Sequence, residues 1–376
     1  LLLLTSIFVI IGWSQPRWCC DASAYYMYAR SAIFDHDFHF ANERAAFGDT
    51  WNAPSNGARP GNKHSIGPAI LWTPFILLAH GYVLTTRALG LGSYGPTGYS
   101  TPYLMATAAG TGTAVAFGIM ALWRVCVRHF PGGAGSTAVA LGLMASMLPY
   151  YAFVVPSVSH GPVFGASALF LATWLKVERA PSLRGWLILA ALLGVVSLLR
   201  WQAVVLGIMF VPLFVDAWRR GIGRWWWAPL SVLTSAVVFS PQAGMWRLLF
   251  QDTQATLTSG HGLDWASPNF IRVLISADRG LFIWSPVVAL GCAGWLLLAR
   301  RRPAFVWTSW AVFLATVWVN GTVAGRSWGL SAGDGFAARR FDLLIPLWIF
   351  GLAAAIHYAA RVLRRRPVLG PAAALS

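Results

Sequence analysis

Apolar residues in this chain come in long blocks. Stretches at 1–14, 102–123, 136–155, 161–176, 185–199, 201–217, 225–245, 283–299, 303–321 and 341–361 are almost free of charge. Each is close to the roughly 20 residues that a helix needs to cross a bilayer. The pattern predicts an all-α polytopic membrane protein of about ten transmembrane helices. One further run, 66–87 ("IGPAILWTPFILLAHGYVLTTR"), has the length but carries Pro68, Pro74 and His80. Its status decides how the first part of the chain is arranged.

The polar positions between the blocks supply the sidedness. If the first helix runs from cytoplasm to exterior and 66–87 stays on the outer side, the cytoplasmic connections hold 15 of the 28 basic residues, with only Glu178 and Asp216 as acids. Every short basic loop then lies inside, as the positive-inside rule requires. The alternative has 66–87 spanning and the first helix reversed, which puts 15–65 in the cytoplasm and leaves the rest unchanged. Chemistry favours the first arrangement, because only there does the acidic segment after helix one share a face with His160, Arg200, Arg279 and Arg339–Arg340. The chain is then a single transmembrane domain, with 15–101 as a long first outer loop carrying juxtamembrane surface helices. No soluble C-terminal domain is expected after the last span.

Composition agrees with this frame. The hydrophobic fraction is 57%, charged residues are 11%, and mean hydropathy is +0.59, against about 25% charged residues in soluble domains. Twenty-one Trp suit an interfacial belt. The net charge of +16 reads as mostly topological, and without a soluble basic domain no nucleic-acid partner is expected. Without an initiating Met, residues 1–13 read as the end of a membrane helix and not as a cleaved signal. The four cysteines, Cys19, Cys20, Cys126 and Cys292, have neither metal-ligand spacing nor a disulfide framework.

A few polar residues stand where an apolar chain would not place them without reason. Asp21 follows the first span directly; it either caps a following helix or presents a carboxylate to the bundle. Asp35 and Asp37, in "DHD", are one residue apart and could chelate a divalent cation or form a solvated turn. Arg200 interrupts the apolar run from Trp186 to Val215, where it either snorkels or holds an anion with its planar fork. His160 opens a span at the outer face. Arg339 and Arg340, at the outer entrance of the last helix, need an anionic partner, either lipid headgroups or a substrate phosphate.

Taken together, these pieces resemble the C-type membrane glycosyltransferases, the superfamily of protein O-mannosyltransferases and lipid A aminoarabinose transferases, and most closely its bacterial members. The likeness is carried by "DASAYY" (Asp21, Tyr25, Tyr26), "IGPAILWTPF", "PSVSH", the arginine in "SLLRWQ", "SADRGLFIWSP" and "GFAARRFDLLIP". It implies an inverting transfer of a sugar from a polyprenyl-phosphate donor to an acceptor at the outer face of a bacterial inner membrane. Asp21 would be the catalytic base. Arg200, Arg339 and Arg340 would bind the substrate phosphate, with His160, Tyr25, Lys63, His64 and Arg279 as further substrate-binding candidates. A divalent cation, with Asp35 and Asp37 as its candidate ligands, is the one cofactor suggested; membrane lipids and a membrane protein complex are the other partners. Ala22 stands where some branches carry a second acid. A non-catalytic membrane subunit and a transporter of lipid-linked sugars are the competing classes.

Overall fold

The computed structural model describes residues 21–48, 61–222, 224–250, 265–266, 268–331 and 336–365, with 323–331 and 365 as backbone only. The predicted first span, Cys19 and Cys20 lie outside the described residues. All regular structure among the described residues is helical. The N-terminal part contributes α1 (Asp21–Arg30), α2 (Ala41–Phe47) and α3 (Gly67–Ala88). The bundle follows with α4 (Thr101–His129), α5 (Ala134–Met144), α6 (His160–Arg179), α7 (Leu183–Leu199), α8 (Phe210–Arg219) and α9 (Trp227–Leu249). It is completed by α10 (Phe270–Ile275), α11 (Leu281–Trp284), α12 (Val287–Leu298), α13 (Pro303–Ser331) and α14 (Ile345–Arg365).

Among the described residues five segments are long and apolar enough to cross a membrane: 67–88, 101–129, 201–219, 303–322 and 339–364. The apolar blocks at 136–155 and 283–299 are each broken. The first ends its α-helix at Met144 and resumes as a π turn at Tyr150–Val154, and the second is divided at Ser285–Pro286. Hydropathy cannot register such breaks, because the residues at the break are themselves mostly apolar. The run 66–87 forms one continuous helix through Pro74, whose missing N–H does not end it.

Close helix contacts fix the register. Gly294 on α12 lies so close to α14 that a Cβ on it would overlap the Gly351 backbone, and a Cβ on Gly351 would meet Gly291 O and the Trp295 ring. On the other side of the bundle α6 runs parallel to α4, since Gly161 lies against Thr111 and Val115 while Gly165 lies against Ala114. Basic residues therefore gather at one end. Arg302 bonds Glu178 at 2.6 Å there, Arg301 lies over the Tyr358 ring, and His129 feels the charges of Arg302, Arg128 and Arg179. The opposite end holds the starts of α6 and α14 and the end of α7.

The segment before α4 is built onto that opposite end. Trp72 Nε1 donates to Thr111 Oγ1 at 3.0 Å and His80 meets the Tyr103 hydroxyl at 2.8 Å, so α3 is antiparallel to α4. It starts beside Leu198–Leu199 and runs away from the basic end. Helix α1 is not a surface helix: every residue from Ala22 to Arg30 is buried. Its cover is the 61–66 segment and the 97–99 turn. Tyr28 Oη donates to the Asn62 and His64 carbonyls, Asn62 Nδ2 donates to Ala24 O, and Tyr26 Oη donates to Gly98 O at 2.7 Å.

Candidate functional site

Asp21 is the first described residue of α1. From there it reaches two partners. Arg339 Nη1 donates to Asp21 Oδ2 at 2.9 Å, and His64 Nε2 lies 3.3 Å from Oδ1. Burial pushes the Asp21 carboxyl up, but Arg339 above all, with the hydrogen bond and charge of His64, brings it well below the ordinary carboxylate value. Tyr25, one turn along, puts its ring edge against His64 with centroids 4.9 Å apart, and its hydroxyl bonds Ser159 Oγ at 2.9 Å. Ser159 precedes His160, so α1 is tied directly to the start of α6.

A second ionic centre lies beside the first. Arg200 is an extended residue between α7 and a 3-10 segment, Trp201–Met209, and this break swings its side chain out of the helical run. Nη1 donates to Asp342 Oδ2 at 2.8 Å, and His160 Nδ1 lies 2.7 Å from the same oxygen. Asp342 Oδ1 accepts from the Leu343 N–H at 2.8 Å. The Asp342 side chain is 1% exposed and that of Arg200 14%. Arg200 is thus not a snorkelling residue; it is a charge held by a buried acid. Burying that acid is costly in isolation, and three donors, one of them cationic, offset the cost.

The two centres communicate. Tyr25 feels both Arg200 and Arg339, and Arg340 lies within electrostatic reach of Arg200, Arg339 and Asp21. Tyr151, from the π turn before α6, covers His160 with ring centroids 4.3 Å apart. Its hydroxyl donates to Phe336 O and accepts from Phe336 N, pinning the strand of chain that delivers Arg339. Trp284 packs on Phe336 and bonds Ala277 O, which ties the half-buried Arg279 turn to the rim of the site. Lys63, half-buried, stands between Asn62 and His64 in the segment that covers α1.

The structure therefore brings Asp21, Tyr25, His64, His160, Arg200, Arg339 and Arg340 together. Asp35 and Asp37 stand elsewhere. Asp35 pairs with Arg30 and accepts from Asn42 Nδ2 at 2.6 Å, while Asp37 accepts from Ser31 Oγ and the His39 N–H. Arg30 also bonds Glu43 at 3.0 Å and lies 4.4 Å over the Tyr99 ring, so this cluster fastens α1 to α2 and the 97–99 turn. Among the described residues no three His, Cys, Asp or Glu side chains gather as metal ligands would. Asp342 was missed in the sequence. Its signal was present: one acid inside "FDLLIPLWIF", where a carboxylate is expensive without a partner. Neither a protein-family model nor a curated protein matches this chain.

Proposed function

We propose that the chain is an inverting glycosyltransferase of the bacterial inner membrane, moving a sugar from a polyprenyl-phosphate donor to an acceptor hydroxyl on the outer face. One observation carries this reading: a carboxylate and two arginines from the two ends and the middle of the sequence converge beside each other. Asp21 with Arg339, and Arg200 with Asp342, form two adjacent pairs. In the transfer the acceptor oxygen bonds the anomeric carbon opposite the phosphate. The carbon–oxygen bond to phosphate breaks, its electron pair leaves with the lipid phosphate, and the acceptor proton passes to Asp21.

The ligand-free pairing suits such a cycle. A lipid phosphate competes with Asp21 for Arg339, and each hydrogen bond to a charged group is worth about 1.5–3 kcal/mol. Moving the guanidinium onto the phosphate would free Asp21 Oδ2 and raise its basicity in the same step. The cation would then face the charge that grows on the leaving group.

One contact set supports the proposed sidedness. Phe47 on α2 meets the Tyr99 ring at 5.5 Å and Arg30 Nε donates to Thr97 O at 3.2 Å, so 21–47 shares an end with the 97–99 turn. That end lies opposite the basic one, which supports reading 15–101 as an outer loop.

The test is thermal stabilisation of the purified protein by undecaprenyl phosphate, with uncharged polyprenol as control. Only the phosphate lipid should stabilise, and Arg200→Ala should weaken it by about ten- to a hundredfold. Equal stabilisation by both lipids would leave the arginines as structural charges and favour a non-catalytic membrane subunit.

A further inference from the structure

His160 offers an atom that the two ion pairs do not use. Its Nδ1 lies 2.7 Å from Asp342 Oδ2 and 3.1 Å from Arg200 Nη1. A bare nitrogen lone pair cannot stand 2.7 Å from a carboxylate oxygen without strong repulsion, so Nδ1 carries a proton and donates it to Asp342. Arg200 Nη1 has its own hydrogen bond to the same oxygen at 2.8 Å, and the longer contact to Nδ1 is only the third side of that triangle. A second proton on the ring would set an imidazolium beside a guanidinium that already shares its carboxylate. The ring is neutral, and its lone pair is on Nε2.

Nε2 has no hydrogen bond among the described residues, and it is not one of the sealed, unpartnered polar atoms of the interior. A buried ring acceptor that is neither paired nor sealed is built to meet a donor from outside. The surroundings select which donor. Arg200, Arg339 and Arg340 already supply positive charge for an anion, so a further anion-binding group is not what Nε2 provides. A neutral acceptor next to a tyrosine face fits a hydroxyl.

From this we infer that His160 Nε2 accepts a hydrogen bond from a hydroxyl of the transferred sugar, and that Asp342 is the positioning residue that keeps the lone pair on that atom. The identity of the hydroxyl as a sugar's rests on the transferase reading; the tautomer does not. Asp342 acts here as a carboxylate behind a histidine does elsewhere, setting which nitrogen is free.

The experiment is nitrogen-15 NMR of the histidine-labelled protein, with His160→Gln identifying the resonances. In the wild type without ligand, Nδ1 should be protonated and Nε2 bare; a protonated Nε2 overturns the inference regardless of what the protein binds. Asp342→Asn should shift the ring toward the opposite tautomer, because the amide can donate to Nδ1. Undecaprenyl phosphate carrying a single glucose, galactose or mannose is then added, with undecaprenyl phosphate alone as the comparison. At least one sugar lipid should move the Nε2 resonance while the bare phosphate lipid does not. Equal movement with both, or movement with none of the three sugars, overturns the hydroxyl assignment. Failure of the transferase reading is visible separately, as the absence of any thermal response to undecaprenyl phosphate beside an intact Nδ1–H tautomer.

Discussion

Arg339 meets Asp21 at 2.9 Å across 318 residues of sequence, and this contact closes the described chain on itself. It also sets the chemistry of the carboxylate. Asp21 is ionised at any working pH, ready to accept a proton but held back while the guanidinium shares its oxygen. Asp21→Asn preserves the shape and can still bond His64 and Arg339. Transfer should fall by about a hundredfold or more, the scale on which a base is lost, with the protein still folded. Sugar release from the lipid-linked donor measures it, and near-normal turnover would move the base elsewhere.

The same pairing predicts a pH effect with a definite sign. Arg339→Gln removes the main influence that lowers the Asp21 carboxyl, leaving burial to push it up against weaker influences, His64 first. The acid limb of the activity profile should move to higher pH, whatever the loss in maximum rate. Stability responds too. A folded-state value below the unfolded one, about 3.9, gives stabilisation that is complete above that pH and is lost as pH falls through the lower value. Acid unfolding of the wild type should therefore begin below about pH 4. In Arg339→Gln this contribution should shrink across the same range. Circular dichroism in detergent against pH reads both.

Much of this site was legible in the sequence because single polar residues in apolar surroundings are costly. Asp21, Arg200 and Arg339 stood out for that reason alone. Their pairing was not legible. A lone Arg200 points to an anion but does not say whether a substrate or the protein supplies it, and the supplier, Asp342, was hidden behind the more conspicuous Arg339–Arg340. Asp35 and Asp37 drew notice by spacing, yet spacing carries no direction: Arg30 turns one of them inward and Ser31 holds the other. The fold was read well as helices and poorly as breaks. The interruptions at Ala145–Pro149 and at Ser285–Pro286 leave the hydropathy of their blocks almost unchanged. The burial of α1 was invisible as well, because the residues whose hydrogen bonds hold its cover in place are 34 or more positions away.

The Arg200–Asp342 pair should behave as a buried charge pair does. Asp342→Leu leaves Arg200 without its anion and should cost about 3–5 kcal/mol, whereas Arg200→Met together with Asp342→Leu should recover much of that loss. The double variant's loss minus the sum of the two single losses, Arg200→Met and Asp342→Leu, is the coupling energy of a double-mutant cycle. Thermal or denaturant unfolding of the four proteins gives it. Additive losses would mean that the two residues are held independently, and the site would lose its second centre.

Sidedness can be tested with cysteines placed where the fold leaves them exposed. Cys126 and Cys292 are buried, so they give little background and their silence would say nothing about topology. In a background with Cys19 and Cys20 replaced by Ser, Ala46→Cys reports α2, Ser93→Cys the α3–α4 connection, and Arg300→Cys the basic end; all three positions are exposed. The contact of Phe47 with Tyr99 requires the first two to share a side. With the basic residues facing the cytoplasm, an impermeant maleimide should label Ala46→Cys and Ser93→Cys in intact cells. Arg300→Cys should react only after permeabilisation. Labelling of Ser93→Cys without Ala46→Cys would place 15–65 in the cytoplasm, away from any acceptor on the outer face. Asp21 would then lie on the wrong side of the membrane for the proposed transfer and out of reach of Arg339, and the site as described would fall.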